Sequence, residues 1–228
     1  MSDICVVVPV YDNPKTVRNV VEGLLSLDKK IIVVDDGSKI PVSELLDGLS
    51  CDVVIHGKNL GKGKALISGA MAASDEGFSH ILTVDADGQH FLDDVAKVLA
   101  AFEGKEEIII GKRDFDSVAV PRASSIGRFL GNLMVYFETG VWVSDTQSGL
   151  RIYPLSLFDK PFGSNGYEFE IESLVRHLRR GGGLRMIDIK TIYPEDRVTH
   201  FDKLRDNFKM TILHIKLLFF RIFGVKKV

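Results

Sequence analysis

The sequence predicts an α/β domain: a mainly parallel sheet with helices on both faces, followed by a C-terminal amphipathic helix. Three observations carry that expectation. Short apolar, β-branched runs recur at residues 4–10, 31–34, 53–55, 81–84 and 108–110, and strands buried on both faces read as such continuous runs. Segments of helical periodicity separate them. The runs end in loops rich in Asp, Gly and Pro, and open α/β sheets bind ligands beyond the carboxyl ends of their strands.

The first run, 4–10, closes at Pro9-Val10-Tyr11. Pro14 opens a helical pattern with Val17, Val20, Val21, Leu24 and Leu25 on one face. The second strand, 31–34, is stopped by Asp35-Asp36-Gly37-Ser38, and 53–55 is the third. Residues 61–73 read as a helix, 81–84 as a strand, and 91–102 as a helix with Asp93 and Asp94 in its first turn, where the dipole favours acids. A strand at 108–110 precedes a long helix over 121–139, capped by Gly140. Residues 145–153 form a loop leading into a strand. Residues 167–180 form a helix closed by Gly181-Gly182-Gly183, and 184–192 alternate like an edge strand. No repeat, low-complexity tract or linker interrupts the chain. One domain is expected over 1–200, with a basic amphipathic helix over 201–228.

The 228 residues, 45% hydrophobic and 26% charged, suffice for one compact domain with a sizeable core. The net charge of −2 offers nucleic acid no global attraction. Cys5 and Cys51 lie in apolar runs without CxxC spacing, as core residues of a reduced compartment do. No basic segment precedes the first apolar run, so no signal peptide is expected. No run reaches the roughly 18 apolar residues that a bilayer-spanning helix needs.

The chemistry concentrates at strand ends. In His80-Ile-Leu-Thr-Val-Asp-Ala-Asp-Gly-Gln-His90 an apolar strand runs into two carboxylates. Burying both unpaired would cost several kcal/mol, which places Asp85 and Asp87 at an open strand end. Residues i and i+2 of an extended segment project to one side, about 6–7 Å apart. A hard cation such as Mg²⁺ or Mn²⁺ prefers such oxygen ligands. Gly88 lets the backbone turn and Gln89 adds an oxygen. An ion there would neutralise a departing diphosphate; a solvated surface loop is the other reading. Asp35-Asp36 suits ribose hydroxyls or a base edge, or an ordinary Asp-Gly-Ser turn.

Asn59-Leu60-Gly61-Lys62-Gly63-Lys64-Ala65 precedes a helix, where glycines and lysines suit a phosphate group or form a tight loop with solvated lysines. It is not a Walker A motif, because His56 and Lys58 stand where the first glycine belongs, and Leu66 replaces the third glycine of GxGxxG. Arg113, Arg122 and Arg128 are candidates to hold an anionic acceptor or a donor phosphate, Arg113 foremost because it ends a strand.

Together, Val8-Pro9-Val10-Tyr11-Asp12-Asn13, Val33-Val34-Asp35-Asp36-Gly37-Ser38, the 59–64 loop, Asp85-Ala86-Asp87-Gly88-Gln89, Gly111-Lys112-Arg113 and Asp145-Thr146-Gln147-Ser148-Gly149-Leu150-Arg151 resemble family 2 glycosyltransferases. They cover about the first 155 residues in the family's order. Within the family the chain is most similar to dolichol- or polyprenyl-phosphate sugar transferases and related bacterial lipopolysaccharide-type enzymes. The resemblance implies a GT-A (Rossmann-like) fold, a nucleoside-diphosphate-sugar donor, Mg²⁺ or Mn²⁺, and inversion at the anomeric carbon. Carried over by position, Pro9, Tyr11 and Asp36 hold the nucleoside, and Lys64 falls in the donor-side loop. Asp85, Asp87 and Gln89 form the metal region, with Asp85 also facing the donor. Asp145 falls where these enzymes keep the general base, on the face opposite the leaving diphosphate. An acceptor that is already a phosphate needs no proton removed; Asp145 would then orient groups or tune charge. Glu168 and Glu170 lie in Tyr-Glu-Phe-Glu-Ile-Glu, which also resembles the family and reaches the sugar, the base-bearing loop or merely a helix start.

Many polyprenyl-phosphate enzymes carry a Glu-Arg…Ser-Lys loop after the last strand. Here that region reads Asp196-Arg197-Val198-Thr199-His200-Phe201. Arg197 is expected at the diphosphate and His200 as a C-terminal metal ligand. The departure leaves both a polyprenyl phosphate and a glycolipid hydroxyl open as acceptor. Two other classes stand beside the transferase. Haloacid-dehalogenase-type phosphatases also use Asp-x-Asp after a strand, but on their first strand. A non-catalytic nucleotide-sugar-binding module has no use for Asp145.

The tail differs from the body. From Arg197 to the last residue there are eight Lys or Arg and two Asp, a charge of +6, so the other 196 residues carry −8. Leu204, Phe208, Ile212, Ile215, Phe219 and Ile222 recur at helical spacing, with Lys and Arg around them. Such a helix lies flat in an anionic membrane interface, which suits a peripheral protein at the cytoplasmic face that meets a lipid-linked acceptor. Packing on the body or on a second subunit in a homodimer is the alternative.

Overall fold

A computed structural model describes residues 4–114, 122–190 and 202–223, without the side chains of 122–126 and of Lys203. Its strands are β1 (Ile4–Val10), β2 (Ile31–Asp35), β3 (Asp52–Ile55), β4 (His80–Thr83), β5 (Glu107–Arg113), β6 (Arg151–Pro154) and β7 (Gly183–Ile189). Its helices are α1 (Val17–Leu25), α2 (Val42–Leu45), α3 (Lys62–Asp75), α4 (Leu92–Ala100), α5 (Arg122–Thr139), α6 (Phe169–Arg179) and α7 (Lys203–Ile222). A 3-10 turn spans Leu155–Asp159. The expected elements are all present within the described residues. The short α2 and the 3-10 turn carry too few residues for a periodicity and are additions.

One seven-stranded sheet has the order β3-β2-β1-β4-β6-β5-β7. β1 pairs in parallel with β2 and β4, β2 with β3, and β5 with β7. β7 is an edge strand, as its alternation suggests. Period-2 geometry splits the β1 side chains between two cores. Cys5 and Val7 face Ala65, Leu66, Ala70 and Leu174 on one side of the sheet. Ile4, Val6 and Val8 face Val17, Val21, Leu24 and Val95 on the other. Both faces are therefore covered, which explains the near-continuous apolar runs.

β6 is antiparallel to both neighbours, with Leu82 opposite Ile152, Thr83 opposite Arg151 and Ile110 opposite Arg151. This inversion decides the location of the site. Loops that leave β1, β2, β4 and β5 emerge at one end of the sheet. An antiparallel strand begins at that same end, so the segment preceding β6, residues 145–150, joins them.

α7 has two apolar faces. Asp202 caps it by accepting from the backbone N–H groups of Leu204 and Arg205. Met210 and Leu217 enter the core shared with α5 and α6, and buried His214 meets buried Glu138 at 2.7 Å. Leu204, Phe208, Ile215, Phe219 and Ile222 remain exposed on the opposite face. No helix among the described residues is long and apolar enough to cross a membrane.

Candidate active site

The end of β2 is built from acids, and neither is a solvated turn residue. Asp35 accepts from the backbone N–H of Ser38 at 2.8 Å and of Val42 at 3.1 Å. Asp36, also buried, accepts from the N–H groups of Leu60 at 2.9 Å and Gly61 at 2.8 Å and contacts His56 Nδ1 at 2.7 Å. His56 Nε2 in turn lies 2.9 Å from Ser68 Oγ. Asp36, expected at the nucleoside, thus also fixes the path of the 56–61 loop. Beside it, the backbone N–H of Asp12 donates to Ser38 Oγ at 3.1 Å. Pro9 and Tyr11, at the end of β1, are half-buried in the wall next to these acids.

The 59–64 loop turns sharply into α3. Gly61 has φ of +102°, and a Cβ there would lie 2.5 Å from the carbonyl oxygen of Asn165, so glycine is required on both counts. The turn aims Lys62, not Lys64, into the site. Lys62 Nζ lies 2.7 Å from Asp85 Oδ1 and 2.7 Å from Glu170 Oε1, whereas Lys64 is exposed. Lys62 and Glu170 are 108 positions apart. Sequence spacing gave no way to choose between the two lysines.

Asp85 emerges from β4 with its side chain 25% exposed. Burial pushes its carboxyl up, but the charges of Lys62, His90 and Arg113 outweigh that and hold it below the usual carboxylate value. Burial likewise opposes protonation of Lys62, yet Asp85 and Glu170 raise its pKa and keep it cationic. Burial raises the Glu170 carboxyl, with Lys62 and Arg151 opposing. Gly149 is needed here as well, because a Cβ would lie 2.1 Å from Asp85 Oδ2. Asp87 accepts from the N–H of Gln89 at 3.0 Å, and Thr16 Oγ1 donates to Ala86 O at 2.6 Å, pinning the loop to α1. A cavity of about 340 Å³ opens between α1, α4 and this loop, with Asp85, Asp87 and His90 in its wall. Burial pushes the His90 imidazole pKa down.

The donor set suits a hard divalent ion in part. Two carboxylates, Asp85 and Asp87, share the loop. Gln89 Nε2 and His90 Nδ1 are buried polar atoms without a hydrogen-bond partner among the described residues. No group of three or more His, Cys, Asp or Glu side chains placed to hold a metal occurs among the described residues. Such a pair fits an ion that completes its shell with substrate phosphate oxygens and water. His200 and Arg197, expected at this ion and at the diphosphate, lie outside the described residues.

Asp145 is completely buried. Arg113 grips it bidentately, Nε to Oδ2 and Nη2 to Oδ1, both at 2.8 Å, and the Arg113 backbone N–H adds a 3.2 Å bond. Burial pushes the Asp145 carboxyl up, but Arg113 beside it, and then Arg151, bring it below the usual carboxylate value. Arg113, expected to hold a phosphate, is therefore engaged by Asp145 across 32 positions of sequence. Arg128, on α5, is half-buried, and the Arg122 side chain lies outside the described set.

Two further residues shape this wall. Asn132 donates to Ser144 O at 2.7 Å, and its Oδ1 accepts from the Thr146 hydroxyl at 2.9 Å. Arg151 is fully buried and pairs with no carboxylate among the described residues. Its guanidinium donates to the carbonyls of Ser148, Glu170 and Thr146 at 2.7, 2.8 and 2.7 Å. It ties the 146–148 loop to α6. Nothing in the local sequence marks Asn132, and Arg151 stood out only as the last residue of a motif. Glu168 accepts from the N–H groups of Asn165 and Gly166 and so shapes the loop under Gly61.

Comparisons with known proteins agree with this geometry. The model of glycosyl transferase family 2 matches residues 5–172. An uncharacterized protein of Methanocaldococcus jannaschii is 34% identical over 97% of this chain and 93% of its own length. The UDP-N-acetylglucosamine–dolichyl-phosphate N-acetylglucosaminyltransferase of Methanococcus voltae is 28% identical over 91% of this chain and 92% of its own. Glucosyl-3-phosphoglycerate synthase from Mycobacterium tuberculosis, in complex with Mn²⁺, uridine diphosphate and glucosyl-3-phosphoglycerate, superposes with a TM-score of 0.68 at 21% identity, covering 94% of this chain and 78% of that one. A parallel sheet opened by an antiparallel strand, with acids at three of its strand ends and a family match over most of its length, identifies the chain as a member of glycosyl transferase family 2.

Proposed function

We propose that this glycosyltransferase moves a sugar, with inversion, from a nucleoside-diphosphate-sugar to a polyprenyl phosphate at a membrane surface. Family membership sets aside the phosphatase and the non-catalytic module. The choice between the two acceptors rests on one observation, the bidentate grip of Arg113 on a buried Asp145. A carboxylate held ionised by a guanidinium, with its pKa lowered, is a weak base. General-base catalysis works best when the base has a pKa near the working pH. A hydroxyl acceptor needs such a base, whereas a phosphate acceptor arrives as an anion. Relatives named for transfer to dolichyl and undecaprenyl phosphate support the same choice.

In this reading Pro9, Tyr11 and Asp36 border the nucleoside, Asp85 and Asp87 lie at the diphosphate, and Asp145 holds Arg113 toward the anionic reactants. The acceptor phosphate oxygen attacks the anomeric carbon as the bond to the diphosphate breaks, and the bond electrons leave with the diphosphate. A divalent ion held by Asp85 and Asp87 would neutralise the charge that develops there. The exposed stripe of α7 lies on the membrane, with Arg205, Lys209 and Lys216 supplying attraction to anionic headgroups.

The test is transfer of labelled sugar from a panel of nucleotide sugars to a short-chain polyprenyl phosphate, and to a neutral glycolipid bearing a free hydroxyl. Product on the phosphate alone is expected, and product on the hydroxyl alone overturns the acceptor assignment.

A further inference from the structure

We infer that Lys62 is the resident cation of Asp85, anchored by Glu170, and that it makes binding of the divalent ion conditional on the donor's diphosphate. The inference rests on the proposed donor and adds an order of events to it. Three features carry it. Lys62 Nζ bonds Asp85 Oδ1 and Glu170 Oε1 at the same 2.7 Å, so the oxygen that a metal ion needs already serves an ammonium. The ammonium is held from behind, because Glu170 is buried on α6. Both side chains start from tightly packed backbone. Lys62 opens α3 directly after Gly61, which Asp36 and Asn165 fix, and Asp85 lies against the backbone of Gly149.

A divalent ion arriving alone at Asp85 would sit a few ångströms from Nζ in a partly desolvated site, where like charges repel strongly. A diphosphate changes that balance. It gives the ammonium other oxygens to bond and brings negative charge to offset both cations. Metal and donor therefore enter together, and Lys62 with Glu170 acts as a positioning pair. In the absence of donor, Asp85 is kept ionised and correctly oriented by a cation of the protein's own.

The experiment is calorimetric titration of the full chain with Mn²⁺, alone and with uridine or guanosine diphosphate. Lys62→Met is expected to bind Mn²⁺ alone at least about tenfold more tightly than wild type. Lys62→Arg is expected to stay close to wild type. Glu170→Gln leaves the ammonium to Asp85 alone and is expected to bind Mn²⁺ more weakly. The diphosphate should tighten Mn²⁺ binding in wild type far more than in Lys62→Met. Equal or weaker Mn²⁺ binding by Lys62→Met overturns the inference. Should that variant not unfold cooperatively, unchanged or tighter binding by Glu170→Gln overturns it instead. Failure of wild type to bind Mn²⁺ together with either diphosphate counts against the donor reading itself, a result distinct from joint binding that Lys62 does not control.

Discussion

Asp85 and Asp145 lie at the same end of the sheet, and each has a cationic partner, yet the pairs are built differently. Asp85 shares a single ammonium with Glu170 and keeps part of its side chain in contact with solvent. Asp145 is sealed, with both oxygens on one guanidinium. An ammonium is a point charge on a flexible stem, while a guanidinium is a planar fork that matches a carboxylate in shape. The first pair can exchange its cation during a reaction cycle. The second is a fixed part of the wall. Under the proposed function, the first pair suits a metal and donor that come and go, and the second the permanent electrostatics of the acceptor side.

The strongest way to break the comparison is Arg113→Ala. It leaves Asp145 buried without its cation, and uncompensated buried charges typically cost about 3–5 kcal/mol. Denaturant unfolding should show a loss of that size. A loss under about 1 kcal/mol would mean that the Asp145 wall is open to water.

Asp145→Asn keeps the shape and removes the charge. The expected outcome is nucleotide binding close to wild type with transfer slowed by about 100-fold, because Asp145 positions Arg113 and a misplaced positioning group costs an effect of that size. The double variant with Arg113→Lys should be little slower than the slower single one, because residues in one contact act as a unit. Additive losses would separate the two roles.

The pH dependence of stability sharpens the same pair. The folded-state pKa of Asp145 lies below its ordinary value of 3.8, against burial, because of Arg113. A carboxyl with a depressed folded pKa contributes stability that is fully present above the unfolded value and is lost as pH falls through the folded one. The stability difference between wild type and Asp145→Asn should therefore be the same at about pH 7 and about pH 5, and shrink only in acid below 3.8. A difference that does not shrink in acid would place the carboxyl in an ordinary, solvated setting, with the same pKa in the folded and unfolded chain.

The smallest expected effect on the folded protein concerns α7. Removing the helix is a poor test of membrane contact, since Met210 and Leu217 belong to the core. Phe208→Ser with Phe219→Ser alters only the exposed stripe. Surface substitutions of this kind usually change stability by less than about 0.5 kcal/mol, while co-sedimentation with anionic vesicles should fall several-fold. Unchanged sedimentation would assign the stripe to a protein partner.

The sequence by itself determined the sheet strands, most helices, and the placing of Asp35, Asp36, Asp85 and Asp87 at strand ends. Those features are local: an apolar run reads as a strand, and the residues next in the chain lie at the strand end. Asp145 was legible only through its motif, because its position depends on β6 running antiparallel between β4 and β5, and local periodicity carries no direction. The tertiary structure alone decided the partners. It selected Lys62 over Lys64 through a contact with Glu170 108 positions away. It spent Arg113 on Asp145 and recruited Asn132 and Arg151 to hold the 144–148 wall. It also split α7 into a buried and an exposed apolar face. In each case but the last the deciding effect is the desolvation of a buried charge or carbonyl, which must find a partner wherever the fold brings one within reach, and that distance exists only once the chain has folded. For α7 it is the burial of apolar surface against α5 and α6, which depends on the same tertiary placement.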